Sequence, residues 1–155
     1  MTTMTAGATV QQAGFVEFPR DKIPPHAIPS TPIPPGMTFD YSLKGDAGRG
    51  RDFMSKFGGG CAGCHMINGN PSMVGVTGPN LTHVATRTTI AGGIYPNDTK
   101  HLSLWIKNAR WMKPGVIMPT LGAFQRDPIT NQTVPKTGLT DQQIADVVAY
   151  LQALK

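Results

Sequence analysis

Residues 61–65 are Cys61-Ala62-Gly63-Cys64-His65, and this stretch decides how the rest of the sequence is interpreted. Its two cysteines are the only ones among 155 residues, too few for a disulfide scaffold. Two thiols on one short turn can add to the two vinyl groups along one edge of a porphyrin, and the adjacent imidazole can then reach the iron. The C-x-x-C-H spacing therefore predicts one c-type haem, bound covalently through both cysteines.

Two other chemistries use paired cysteines, and the sequence supports neither well. A structural zinc ion takes four ligands, so the two thiols would have to recruit His26, His83 or His101 at irregular spacings. A thioredoxin-like dithiol is expected between a strand and a helix in a parallel-sheet pattern, which this sequence lacks. The haem attachment site is therefore favoured over both.

Composition describes one loop-rich globular domain. The 18 glycines and 14 prolines make 32 of 155 residues, about 21%, against roughly 12% in average usage. No apolar run approaches the roughly 20 residues that a membrane-spanning helix needs, so no direct membrane span is expected in this chain. Residues 1–12 also lack the basic and apolar regions of a secretory signal.

The chain carries a modest positive charge, most of it in the second part. Fourteen Lys and Arg residues against nine Asp and Glu give a net charge of +5. Residues 61–155 hold eight of the basic and four of the acidic groups, a surplus of +4. This surplus favours redox partners with acidic docking faces, but no Lys/Arg run is dense enough to predict nucleic-acid binding.

Proline separates a tail, residues 1–44, from a domain, residues 45–155. Seven prolines fall between Pro19 and Pro35. Because proline fixes φ and removes a backbone donor, the tail is predicted to be extended. Its scattered apolar residues are compatible with a linker or with a strap that docks on its own domain or on a partner.

Three helices and a small hairpin are predicted in the domain. The first helix is expected over residues 46–57 and the second over residues 97–110, with Asn or Asp at its N-cap. The third begins at a capping box of Thr140 and Gln143 and continues with apolar residues at the helical period. A β-hairpin is expected over residues 123–136. Helices this short bury little apolar area by themselves, so a large apolar cofactor would complete the core.

Beyond the cysteine motif, the domain resembles a class I cytochrome c of the mitochondrial type. TGPNL at residues 77–81, followed six residues later by Arg87, resembles one segment of that family, and KPGVIMP at residues 113–119 resembles its sixth-ligand loop. Within the family, residues 78–119 are most similar to the cytochrome c domain fused to subunit II of caa-type haem-copper oxidases. The resemblance implies an all-α class I cytochrome c fold, with about three main helices around the haem.

The resemblance also implies which side chains bind the iron. His65 would be the fifth ligand, oriented by the backbone carbonyl of Pro79, which fixes its tautomer. Met118 would be the sixth ligand, and its soft thioether would favour the reduced iron. The other candidates for the sixth position are Met73, Met112, His83 and His101.

Three further residues are implied as cofactor contacts. Arg87 and Trp105 would donate hydrogen bonds to the haem propionates, which are costly to bury unpaired. Asn80, within the TGPNL segment, is the third.

The sequence departs from the family pattern in two places. Three extra glycines, residues 58–60, displace the usual glycine and phenylalanine, so either Phe53 or Phe57 is expected to pack against Tyr150 where the first and last helices cross. The hairpin at residues 123–136 lengthens the chain before the last helix, where it would shield one haem edge or contact a partner.

Two strong axial ligands leave the iron no open position, so the expected function is one-electron transfer without bond chemistry, and not an enzyme activity. The implied donor is a quinol-oxidising complex or a small soluble cytochrome. The implied acceptor is a terminal oxidase, or a similar membrane-bound respiratory or photosynthetic complex. The alternatives are a peroxidase-like or ligand-sensing haem protein with a labile methionine ligand, and a structural subunit whose haem does not turn over.

Haem attachment occurs outside the cytoplasm, so the protein is expected in the periplasm or at the outer face of the bacterial cytoplasmic membrane. Export needs a signal or an upstream anchor, so we expect either that Met1 is not the native start or that the chain is expressed with an added leader. The copper-binding cluster of a fused oxidase subunit is absent from the sequence. The chain is therefore interpreted either as a fragment of such a subunit or as a separate haem subunit.

Overall fold

The computed structural model describes residues 31–56 and 60–155, together with Lys22 and Pro29. Within these residues the three predicted helices are present, joined by long loops. The elements in chain order are α1, Ala47–Lys56; a 3-10 helix, Val84–Thr86; β1, Thr89–Ile90; β2, Tyr95–Pro96; α2, Thr99–Met112; and α3, Asp141–Gln152.

Each later helix begins where its capping residues predict. The carboxylate of Asp98 accepts the backbone N–H three residues further on at 2.8 Å and caps α2. Thr140 and Gln143 form the predicted capping box of α3. α2 continues to Met112, two residues past the expected end, and it is kinked at Asn108, whose φ of −155° and ψ of 78° are not helical. None of the described helices is long and apolar enough to cross a membrane.

Residues 123–136 fold back on themselves as predicted, but they make a single antiparallel bridge, Arg126 with Thr133, and no continuous strands. The carboxylate of Asp127 accepts two backbone N–H groups and so forms the turn. The two-stranded antiparallel sheet lies instead at residues 89–96, where the sequence predicts no strand. Strands of two residues are too short to leave an alternating pattern in a sequence.

α1 and α3 cross at glycines that allow their backbones to touch. A Cβ atom on Gly50 would lie 2.0 Å from the carbonyl oxygen of Asp146. One on Gly45, just before α1, would lie 2.1 Å from the carbonyl oxygen of Ala145. Since no side chain fits in that space, only glycine permits this approach of the two helices.

The main core lies between the crossed helices and the loops near the cysteine motif. Phe53, one of the two predicted candidates, packs against the buried cluster that contains Tyr150, and it is only partly buried. Met54 is the α1 side chain that is fully buried in this cluster, because it lies one helical turn after Gly50 on the same face. Phe57 lies outside the described residues.

The end of the proline-rich tail packs on its own domain. The Lys107 ammonium donates to the Thr38 carbonyl at 2.7 Å, pairs with Asp141 at 2.8 Å and lies 5.7 Å from the centre of the Phe39 ring. Three apolar residues of the tail also contact a second buried cluster, which consists of Tyr95, Leu104 and Met112. These tail residues are Ile33, Met37 and Phe39.

The crossing of α1 and α3 can be tested with Gly50→Ala. We expect this substitution to lower the free energy of unfolding of the haem-loaded protein by about 2–3 kcal/mol, because the new methyl group would force the two backbones apart. The measurement is unfolding in guanidinium, followed by circular dichroism.

Gly48→Ala in the same helix is the matched control, because its Cβ would meet only a flexible side chain, Asp46, at 3.2 Å. Its helix propensity should leave stability unchanged or raise it by about 0.5–1 kcal/mol. Equal effects of the two substitutions would contradict the proposed backbone contact.

Candidate haem site

The cysteine motif forms a tight turn after α1. The backbone N–H groups of His65 and Cys64 both donate to the carbonyl oxygen of Cys61, at 2.8 and 3.2 Å. The two thiols form no disulfide. They therefore stand on one turn, three residues apart, as attachment to one porphyrin edge requires.

The loop that follows returns to this turn and holds the imidazole of His65. Nδ1 of His65 donates to the carbonyl oxygen of Pro79 at 2.8 Å. Because a carbonyl oxygen can only accept, Nδ1 carries the proton and the unprotonated Nε2 could bind a metal. A Cβ atom on Gly78 would lie 2.6 Å from the imidazole ring, so the loop backbone itself is in contact with the ring.

Met118 lies in the loop after α2, and hydrogen bonds hold this loop on both sides of it. The Arg110 guanidinium donates to the carbonyl that precedes Met118 at 3.3 Å, and the Thr120 hydroxyl donates to the amide oxygen of Asn108 at 3.0 Å. Met118 is partly buried against the main core, which Cys61 also contacts. The thioether and the cysteine turn therefore border the same cluster.

The competing candidates for the sixth ligand occupy other places. Met73 is fully buried within the main core, and Met112 is buried in the second cluster, on which the tail packs. His101 stacks on an aromatic ring, and its Nδ1 lies 2.8 Å from the carboxylate of Asp98. His83 is exposed, just before the 3-10 helix. Neither histidine belongs to the cluster that Cys61 and Met118 border.

An open cavity lies directly beside Cys61. Burial raises the pKa of the Cys61 thiol to about 11. A thiol that is protonated at neutral pH is a poor nucleophile, which disfavours the redox-dithiol hypothesis. Residues from α1, the cysteine turn, α3 and both ends of the segment before α3 line this cavity. They are Phe53, Gly60, Cys61, Leu121, Thr137, Leu139 and Gln143.

The remaining predicted cofactor contacts are Asn80, Arg87 and Trp105. The side chain of Asn80 accepts the backbone N–H of Thr82 at 2.9 Å, and the Arg87 guanidinium donates to the Asn80 carbonyl. Trp105 is half-buried beside the second cluster, and no described residue accepts a hydrogen bond from its indole N–H. That donor is therefore available to a ligand.

The donor set fits a covalently bound haem better than a bare metal ion. Nowhere in residues 31–56 and 60–155 do three His, Cys, Asp or Glu side chains come together as metal ligands. The zinc hypothesis therefore has no site in this part of the chain, and His26 lies outside it. Paired thiols, an imidazole with one fixed nitrogen and a thioether in a fixed loop match what a c-type haem needs.

Two residues that support the site were not predicted. Asn108 is buried at the kink of α2 and donates to the Arg126 carbonyl at 3.0 Å, besides accepting from Thr120. An asparagine within an amphipathic helix, where its propensity is low, was the available signal. Gly75 packs against the Cys64 backbone, which a Cβ would approach to 2.5 Å, and nothing local in the sequence indicates that contact.

The helices, the cysteine turn and the fixed imidazole together define a c-type haem protein with the class I cytochrome c fold. The chain belongs to the cytochrome c family, whose profile matches residues 49–155. Members of this family bind haem c covalently and transfer electrons. The chain therefore carries haem c at the C-x-x-C-H motif of Cys61 and Cys64, as predicted.

Three solved structures are similar to this chain. SoxXA from P. pantotrophus shares 25% identity with a TM-score of 0.54, over 77% of this chain and 88% of that chain. Cytochrome c-550 from Paracoccus versutus shares 20% identity with a TM-score of 0.42, over 72% and 98%. Cytochrome c2 from Paracoccus denitrificans shares 21% with a TM-score of 0.41, over 71% and 96%. No curated protein matches the chain.

Asp127 connects the folded-back segment to α2, since it pairs with Arg110 at 2.8 Å. Burial alone would raise the pKa of Asp127, but the backbone N–H groups of Thr130 and Ile129 and the Arg110 guanidinium outweigh burial and hold that pKa well below its usual range. The ionised carboxylate therefore stabilises the fold at neutral pH. This contribution is lost as the pH falls below the ordinary aspartate value of 3.8.

Asp127→Asn is accordingly expected to lower the free energy of unfolding by about 2 kcal/mol at pH 7, because it removes a charged hydrogen bond. The difference from wild type should shrink as the pH falls below 3.8. Asp52→Asn, which breaks an exposed pair with Lys56, should show no measurable change. Urea unfolding at several pH values checks both, and a pH-independent difference for Asp127→Asn would contradict the assignment.

Proposed function

We propose that this chain is a single-haem electron carrier. It passes one electron at a time between a quinol-oxidising complex or a soluble cytochrome and a terminal oxidase, or a similar membrane redox complex. The observation that supports this most is the hydrogen bond from His65 to Pro79, which leaves one imidazole nitrogen for the iron. The second supporting observation is that hydrogen bonds hold the loop of Met118 on both sides of this residue.

The axial side chains determine what can reach the metal. Haem c supplies a centre that gains and loses one electron without breaking bonds in a substrate. His65 binds through Nε2, since Nδ1 is engaged by Pro79. Met118 binds through its soft thioether, which favours the reduced iron relative to a second imidazole. His65 and Met118 together would hold the iron and keep water and small ligands away from it.

Two side chains would hold the propionates of the haem. The indole N–H of Trp105, in α2, and the guanidinium of Arg87 would donate to these carboxylates. Asn80 contributes indirectly, because its carbonyl accepts from Arg87 and its side chain turns the loop.

The terminal oxidase is proposed as the acceptor because residues 78–119 resemble the cytochrome c domain of caa-type subunit II. We assign residues 45–155 to the haem domain and residues 1–44 to a docking strap, the end of which contacts α2. The site of action is the periplasm or the outer face of the cytoplasmic membrane, where haem is attached. The net charge of +5 attracts acidic partners at long range.

Met118→Ala tests the ligand assignment. We expect the oxidised protein to lose its near-infrared sulfur-to-iron band, and the reduced protein to bind carbon monoxide. The midpoint potential should fall on the order of 0.1–0.3 V, within the roughly 0.8 V range that axial ligands span. Optical spectra and redox titration give these values.

Met73→Leu and Met112→Leu are the controls, since both methionines are buried in the core and their replacement should leave the spectrum unchanged. An unaltered spectrum in Met118→Ala would overturn the assignment. If the wild-type protein itself lacks the band and binds carbon monoxide readily, the peroxidase-like or ligand-sensing alternative replaces electron transfer. Flash-driven oxidation and reduction in an intact complex would separate a carrier from a structural subunit.

A further inference from the structure

Lys107 in α2 is a buried cation that holds the end of the tail. Its side chain is only 10% exposed. The ammonium donates to the carbonyl oxygen of Thr38 at 2.7 Å, and it lies 5.7 Å from the centre of the Phe39 ring. Because a buried ammonium is costly without partners, these contacts fix both the lysine and the tail segment that it meets.

Asp141, the first residue of α3, joins the lysine to the tail by a second route. Its Oδ1 pairs with the Lys107 ammonium at 2.8 Å, and its Oδ2 accepts the backbone N–H of Asp40 at 3.1 Å. One carboxylate thus bonds to α2 and to the tail at the same time. The tail end, α2 and the start of α3 therefore meet at Lys107.

The main chain of the same lysine holds the loop that contains Met118. The carbonyl oxygen of Lys107 accepts the backbone N–H groups of Leu121 and Gly122, at 3.3 and 2.8 Å. A Cβ atom on Gly122 would lie 2.6 Å from Cγ of Lys107, so the aliphatic stem of the lysine packs against that backbone. Lys107 therefore contacts the chain shortly after Met118 with both its backbone and its side chain.

Lys107 lies at the kink of α2, where hydrogen bonds leave the helix. In a regular helix the Trp111 N–H would donate to the carbonyl four residues earlier, which is that of Lys107. At the kink this N–H donates to the amide oxygen of Asn108 at 3.1 Å. Asn108 also forms an antiparallel bridge with Thr120. Two neighbouring residues of α2 thus hold residues 120–122 together.

We propose that Lys107 is a positioning residue for Met118, and that the tail end sets how firmly it acts. With its ammonium held by the tail, Lys107 fixes the loop and keeps the thioether at the iron. An ammonium that loses these partners moves towards water, and its stem leaves the Gly122 backbone with it. The thioether then leaves the iron more often. This proposal rests on the proposed function, because it takes Met118 as the iron ligand.

Lys107→Met tests the proposal, because it removes the ammonium and keeps an unbranched stem. In the haem-loaded protein we expect the amide hydrogens of Leu121 and Gly122 to exchange about tenfold faster, which corresponds to about 1.4 kcal/mol. The amides of Gly75 and Gly78, which bond to the cysteine turn, should stay within about twofold of wild type. Hydrogen exchange followed by nuclear magnetic resonance gives these rates.

The second readout is the ligation of the iron. Lys107→Met should raise the rate at which the reduced protein binds carbon monoxide by about tenfold, because this gas binds only while Met118 is away from the iron. The near-infrared sulfur-to-iron band should disappear at a lower temperature than in wild type. Lys56→Met removes the same charge from an exposed pair with Asp52, and it should leave both readouts unchanged.

A double variant separates the action of the tail through Lys107 from packing alone. Phe39→Ala removes the ring beside the ammonium, so it should speed up carbon monoxide binding in the wild-type background. In the Lys107→Met background the same substitution should change that rate by less than about twofold. Full additivity of the two substitutions would mean that Phe39 acts by packing, and the role of the tail would be wrong.

Wild-type values of either readout in Lys107→Met would overturn the positioning role. Equal acceleration of all four amides would do so too, since it indicates a general loss of stability. If Met118→Ala leaves the spectrum unaltered, the proposed ligand is wrong and the role of Lys107 is wrong with it. If Met118→Ala abolishes the band while Lys107→Met behaves as wild type, the proposed function is kept and only this inference is wrong.

Discussion

The site depends on the return of one loop, residues 66–80, to the cysteine turn. Three hydrogen bonds close it: the Gly75 N–H donates to the His65 carbonyl at 3.1 Å, the Gly78 N–H to the Cys64 carbonyl at 2.7 Å, and the His65 ring to Pro79 at 2.8 Å. Because both glycines lie in backbone contact with the turn, no side chain separates the loop from it. The orientation of the imidazole follows from main-chain geometry.

The helix α1 supports this returning loop, and the kink in α2 supports the loop that contains Met118. Asn70, in the returning loop, donates to the Ser55 hydroxyl of α1 at 2.8 Å. On the other side, Asn108 uses its amide oxygen for Thr120 and its amide N–H group for Arg126. Both bonds are made by the side chain of Asn108 at the kink, and they connect α2 to the segment that follows it.

Features that depend on neighbours in sequence could be predicted. The capping box of Thr140 and Gln143 located α3, and the spacing of Cys61 and Cys64 indicated the cofactor, because both patterns act within a few residues. Contacts such as Gly50 with Asp146 could not be predicted, since they join backbones about 100 positions apart and leave no periodic signal. The surface on which the tail packs could not be predicted either, because the spacing of prolines predicts an extended chain and not the residues that this chain contacts.

The segment between the methionine loop and α3 closes at its base. Leu139 N–H donates to the Leu121 carbonyl at 2.8 Å, and Ala123 N–H donates to the Leu139 carbonyl at 2.9 Å. The two ends of the segment are therefore held together by main-chain hydrogen bonds at its base. The segment that these bonds close offers a position for grafting a foreign peptide or a reporter group, provided that the contact between Asp127 and Arg110 is kept.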